Sequence, residues 1–272
     1  MKISHFLVSL FVLLCSTRSP ASDPLLSCGS RSQGLAGSRV MLADSWSGSG
    51  NPAGMAALDR LSFSLYYENY YLLPETGLGA FAISIPTKTG TFGMNCITFG
   101  YTLYRESRIG LSYGKTLGRK VRAGVGLHYL KVRQAADYGN LSALVPSLGI
   151  QFLPFQNLIL GLQVFNPAGQ HYVPSGFLYL PMLVQAGFGC QLGKEFFISA
   201  EAEKRSRESL TCRGGIEINL HQKLIFRFGI ASGVFPEYSF GLGLLFQSVT
   251  IDVAVMHHPV LGFNPSVTFS FN

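Results

Sequence analysis

The feature that most restricts this chain is a two-residue alternation that recurs from Leu61 to the C-terminus, with the charge confined to one side. In "KLIFRFGIAS", from Lys223, residues Leu224, Phe226, Phe228 and Ile230 fall on one face, and Ile225, Arg227, Gly229 and Ala231 on the other. That is the side-chain period of a β-strand. "SVTIDVAVMH" and the closing "PSVTFSFN" repeat it, and so do "VRAGVGLHYLK", "TCRGGIEINL", "YSFGLGLLFQ" and "MLVQAGFGCQ". The second face carries Arg122, His128, Glu201, Glu203, Arg213, Glu217, Arg227 and Asp252 among glycines, while the first is aliphatic and aromatic. A soluble sandwich would bury the greasy face between sheets. About fourteen such segments sharing one apolar face are better accommodated by a closed barrel, with lipid outside and a polar lumen inside. Charged residues make up 13% of the chain, against about 25% in soluble domains. No run approaches the roughly 18 consecutive apolar residues of a transmembrane helix. The expected fold is all-β: a transmembrane antiparallel β-barrel of about fourteen strands.

Residues 1–21 have the layout of a signal peptide, with Lys2, an apolar core from Phe6 to Cys15, and small residues up to Ala21. Residues 61–272 are the expected barrel, and 22–60 an N-terminal segment with a short helix. Cys15 and Cys28 lack the small residues that precede a lipidated cysteine. Cys28, Cys96, Cys190 and Cys212 are far apart and in no CxxC spacing, so most read as small apolar residues rather than disulfide partners.

Just before the first strand stands "GSGNPAGMAALDR". A residue before proline is pushed out of the α region, and proline suits a first helical turn. Asn51 therefore caps a short helix from Pro52 through Leu58. So short a helix must pack on something, and the nearest wall is the inside of the barrel. Asn51, Pro52, Ala53 and Gly54 become candidates for a plug or gate.

"SRVMLADSWSGSGNPAGMAAL" resembles the N-terminal plug of the FadL-like outer-membrane barrels, the long-chain fatty-acid transporters. "YENYYLLPETGLGAFAISIPTKTGTFG", "SRIGLSYGKTLGRKVRAGVGLHYLK", "LGLQVFNPAG" and "SFGLGLLFQSVTIDVAVMHHPVLGFNPSVTFSFN" are more similar to the PorV/PorQ-like branch of that superfamily. The resemblance implies a fourteen-stranded barrel with its N-terminus inside, in the outer membrane of a diderm bacterium. It also implies one of two functions. The first is an accessory scaffold of a protein-secretion machine such as the type IX system, partnered by secretion or surface proteins. The alternative is a passive transporter of hydrophobic, fatty-acid-like molecules. An apolar, aromatic patch on the inner side of the plug and first strands would mark transport, and a polar, packed lumen a scaffold. The inner faces read more as Gly, Ser and charge, which favours the scaffold.

A turn near 206–208 sets Glu201 opposite Arg213, and one near 221–222 brings Glu217 to Arg227. These four form an expected lumenal charged ladder that braces the barrel or makes a docking patch. No enzyme, cofactor or metal site is expected. His257-His258 reads as a polar turn, Ser112 and His128 have no third partner for nucleophilic catalysis, and "GSGNPAG" lacks the Lys-Ser/Thr of a phosphate loop. The basic runs "GRKVR" and "EKRSRES" fall at strand ends, where they meet anionic lipid or lipopolysaccharide rather than nucleic acid. Tyr66, Tyr67, Tyr70 and Tyr71 suit an interfacial girdle or packing against the plug.

Overall fold

The computed structural model describes residues 28–135, 139–173, 180–220, 223–233 and 235–271. The expected signal peptide, 1–21, lies outside them. Fourteen strands close into one antiparallel barrel, each paired with its neighbours in sequence. They are β1 Ser62–Asn69, β2 Gly77–Pro86, β3 Thr91–Gly100, β4 Tyr104–Leu117, β5 Val121–Gln134, β6 Asn140–Phe155 and β7 Leu158–Phe165. The second half comprises β8 Leu183–Leu192, β9 Phe196–Arg205, β10 Leu210–Leu220, β11 Leu224–Ala231, β12 Glu237–Phe246, β13 Val249–His258 and β14 Gly262–Phe271. Closure is made by β1 on β14, from Phe63 opposite Phe271 to Glu68 opposite Ser266. Every edge strand is thereby removed, as a lipid-facing sheet requires.

Ser62 and Phe271 lie at the same rim, where the connections between strands are two to four residues long. The opposite, distal rim carries longer ones, including 70–76 and 166–182. The second Asn-Pro-Ala-Gly opens the longest of these as a turn. Asn166 adopts a φ of 57°, and its amide donates to the carbonyls of Gln170 and Leu180 at 3.0 and 3.3 Å.

The wall follows the alternation read from the sequence. Leu65, Leu111, Leu148, Phe188, Phe228 and Phe269 point outward from six strands spread around the circumference, each 40% to 59% exposed. Their neighbours turn inward, and Arg227 and Glu201 are buried at 2% and 3% exposure. A protein folded for water would show the reverse. Cys96, Cys190 and Cys212 sit on the outward face without disulfides. The "EKRSRES" run does not form one basic patch, because alternation splits it: Glu203 and Arg205 are buried and Lys204 is exposed.

Residues 28–60 fill the lumen. They form a short helix, α1 Ser30–Gly34, and two 3-10 turns, Ser45–Gly48 and Pro52–Ala57. Helix α1 ends where Ala36 and Gly37 take positive φ, which sends the chain across the barrel. Asp44 caps the second element, accepting from the Trp46 amide at 2.9 Å, while Ser47 Oγ accepts from the Asp44 amide at 3.1 Å.

Candidate functional site

Three kinds of lining divide the lumen. The first is a track of inward glycines on which the plug lies. Leu35 sits against Gly215, the Val40 carbonyl against Gly161, Asn51 against Gly149 and Pro52 against Gly124. A Cβ at Gly124 would lie 2.5 Å from the Ala53 amide nitrogen, and one at Gly149 2.9 Å from Pro52 Cδ. The backbone of the plug occupies the volume that side chains would otherwise take.

Asn51 is the clamp of this seat. Its Oδ1 accepts from the Ala53 amide at 3.1 Å, the helix-start bond expected of an N-cap. Its Nδ2 donates to the Val40 carbonyl at 2.7 Å and lies 3.2 and 3.4 Å from the carbonyls of Ile150 and Leu162. One side chain thus ties two stretches of plug to β6 and β7. Pro52, Ala53 and Gly54 are fully buried behind it. The expected result of Asn51→Ala is loss of about 1–3 kcal/mol from plug seating. Hydrogen exchange of the 53–58 amides should accelerate by roughly 5- to 150-fold, with barrel strands unchanged. Unchanged exchange at 53–58 would remove Asn51 from this role.

The second lining is charged and belongs to β8–β13. Arg213 faces Glu201 in register and Glu217 faces Arg227. Yet the shortest bond of Arg213 goes to Glu203, at 2.8 Å, with Glu201 at 3.5 Å. The Glu201 carboxylate turns to the plug instead, accepting from the amides of Arg39 and Val40 at 2.7 and 2.8 Å. Gln185 bridges, donating to both Glu201 and Glu203 at 2.8 Å. The other group centres on Arg227, which donates to Glu217 at 2.7 Å and Asp252 at 2.6 Å. Arg31 of the plug joins Glu217 through Nε and Nη2 at 2.9 and 3.0 Å. The ladder is therefore two clusters, each completed by the plug. Arg31, Arg39 and Gln185 were missed from sequence; the visible signal was a glutamine at an inward position of "MLVQAGFGCQ".

The third lining corrects an expectation. At the distal end of β1–β8 many inward residues are apolar: Leu78, Ile97, Leu130, Val132, Leu141, Val145, Phe165 and Leu183 are all buried and join Trp46 and Tyr66 in one cluster, with Glu68 and Arg108 buried beside it. Tyr70, Phe99 and Tyr104 pack against it. The inner face is thus less uniformly polar than the sequence suggested. Tyr66 belongs here, 5.7 Å from Trp46 in an edge contact, whereas Tyr67 points outward and is exposed. Cys28 also lies in this cluster, and burial pushes its thiol up to about 12, so it remains a neutral packing residue.

Trp46 separates this packed cluster from a cavity of about 360 Å³ at the opposite end, lined by Trp46, Arg31, Asp44, Ala57, Arg227 and Asp252. The indole Nε1 makes no hydrogen bond. His128 bonds Ser147 at 2.8 Å, while Ser112 donates to the Gly48 carbonyl at 2.8 Å. These two candidates do not meet. Among the described residues no cluster of three metal-ligating side chains occurs.

No family model and no curated protein matches the chain. Solved structures share its fold. It is similar to the CymD monoaromatic hydrocarbon channel, with TM-score 0.72 and 11% identity over 92% of this chain and 99% of that one. The toluene transporter TodX of P. putida gives TM-score 0.72 and 10% identity over 91% and 99%. A Pseudomonas aeruginosa FadL homologue gives 0.63 and 12% over 94% and 99%.

Proposed function

We propose that this protein is a non-enzymatic outer-membrane barrel that passes small hydrophobic compounds. The observation that carries the reading is the apolar cluster on the lumenal wall. A water-filled barrel lines its lumen with polar groups, and inward Leu, Ile, Val and Phe gain nothing from facing water. Here such residues gather at one end of the lumen, directly over Trp46, with a cavity beyond it. The route runs along the apolar cluster and past the Trp46 indole to the cavity, and the plug closes it at rest. Solved structures of the same fold described as hydrocarbon channels and toluene transporters support this reading. The secretion-scaffold expectation draws nothing from those comparisons.

Uptake of N-phenylnaphthylamine, a fluorescent hydrophobic probe, into cells with an intact outer membrane tests the reading. Expression should raise the uptake rate. Ala143→Trp, which adds a large ring to the apolar cluster, should return it to the level of cells lacking the protein, and Trp46→Ala should increase it. Equal rates for wild type and Ala143→Trp, at equal amounts of folded barrel, would overturn the channel. Stoichiometric co-purification of secretion proteins in that case would restore the scaffold.

A further inference from the structure

One sector of the outer wall departs from the lipid-facing pattern. Along β5 the outward residues run Val125, Leu127 and Tyr129, then change to Lys131 and Arg133, all five exposed. On β4 the change is from Leu111 and Ile109 to Ser107 and Arg105. On β6 it is from Leu148 and Leu144 to Ser142 and Asn140. Register makes these one patch. Arg105 stands opposite Arg133, Ser107 opposite Lys131, Lys131 opposite Ser142, and Arg133 opposite Asn140.

Side chains directly opposite across strands start about 4.5–5.5 Å apart, and like charges so placed repel. The three cations form no ion pair among the described residues. Of the carboxylates nearest in sequence, Glu106 belongs to the lumenal face, where it accepts from the Tyr104 hydroxyl at 2.6 Å, and Asp137 lies outside the described residues. A cluster of exposed cations facing away from the lumen, with no described carboxylate beside it, is suited to an anion from the surroundings. Its height identifies the source. The patch begins where three adjacent strands stop being apolar together, the level at which acyl chains give way to headgroups. It lies at the distal rim, whose longer connections mark the extracellular side of such barrels.

We propose that Arg105, Lys131 and Arg133 bind the phosphates of a phosphorylated glycolipid in the outer leaflet. The guanidinium forks take phosphate oxygens in pairs and the ammonium adds a point charge. Ser107, Ser142 and Asn140 supply hydrogen bonds to the same headgroup, and Ile109, Leu127 and Tyr129 lie against its acyl chains. The site rests on an outer-membrane location and not on what crosses the lumen, so failure of the uptake test leaves it standing.

The test uses the folded barrel in phosphatidylethanolamine nanodiscs containing bisphosphorylated lipid A, with bound lipid counted by native mass spectrometry. Wild type should retain the glycolipid, and Arg105→Gln/Lys131→Gln/Arg133→Gln should hold it about a hundredfold more weakly. Lys88→Gln/Lys194→Gln, in two turns at the other rim, should behave as wild type. Dephosphorylated glycolipid should bind wild type no better than it binds the triple variant. Should the triple variant fail the heat-modified gel shift of a folded barrel, Arg133→Gln alone should weaken retention about fivefold. Equal retention by wild type and the patch variant, equal loss in the control, or equal binding of phosphatidylglycerol would each overturn the assignment.

Discussion

Gly124→Val is expected to give a barrel that inserts normally and leaks. The wall at Gly124 touches plug backbone, with the Ala53 amide nitrogen 2.5 Å from where a Cβ would stand and the Pro52 carbonyl group also in its way. A neighbouring side chain could swing aside, but these atoms belong to a chain held by Asn51 on one side and by the 3-10 turn on the other. Overpacking of this kind costs about 1–3 kcal/mol, and a backbone obstacle places it at the upper end. The unseated population should then rise by roughly 100-fold. Three readouts should move together: single-barrel conductance, entry of a hydrophilic dye, and proteolysis between 28 and 60. Gly79→Val is the control, because a Cβ there meets only Thr98 Cγ2 at 4.0 Å. A Gly124→Val barrel that stays closed with a protected plug would show that the glycine track does not seat the segment.

The largest loss of stability is expected from Arg227→Ala. Arg227 is 2% exposed and joins carboxylates on β10 and β13 through contacts of 2.7 and 2.6 Å. Its removal leaves Glu217 and Asp252 facing one another in a buried lumen, with only Arg31 to answer them. Breaking a buried pair from one side costs about 3–5 kcal/mol, much of it the desolvation of the charge left behind. The midpoint of urea unfolding in lipid vesicles should fall accordingly. Glu217→Gln/Arg227→Met/Asp252→Asn should regain at least half of the loss, since it removes the stranded charges together with the arginine. An Arg227→Ala barrel within about 1 kcal/mol of wild type would mean that water from the adjoining cavity solvates the cluster well enough to make the pair dispensable.

Where the sequence was read correctly, the signal was local. Arg227 and Glu217 each sit between large apolar residues at odd positions of their strands, so alternation placed both inside. Counting back from the turns then set them opposite one another. Asn51 declared itself in the same way, because an Asn-Pro pair before small residues starts a helix in almost any setting. The apolar lumenal cluster was illegible for the converse reason. In "GLHYLKV" the outward Tyr129 and the inward Leu130 are both apolar, so alternation loses its contrast where the lumen turns greasy. Charge runs misled for a related reason: "EKRSRES" looks like one basic segment, but a strand sends its neighbours to opposite faces.

By itself the sequence determined the wall: fourteen strands, their inward and outward faces, and the lipid exposure of one of them. These follow from side-chain sterics over two to ten residues, which no distant contact needs to complete. Only the tertiary structure decided what fills the lumen. Arg31 meets Glu217 across 186 residues and Asn51 meets Leu162 across 111. The glycines that receive the plug are indistinguishable in sequence from those that turn or bulge a strand. Such contacts exist only after β1 has closed on β14, because closure alone brings all fourteen inner faces within reach of one short segment. The outer cationic patch has the same origin, since Arg105 and Arg133 lie 28 positions apart and become neighbours through strand register.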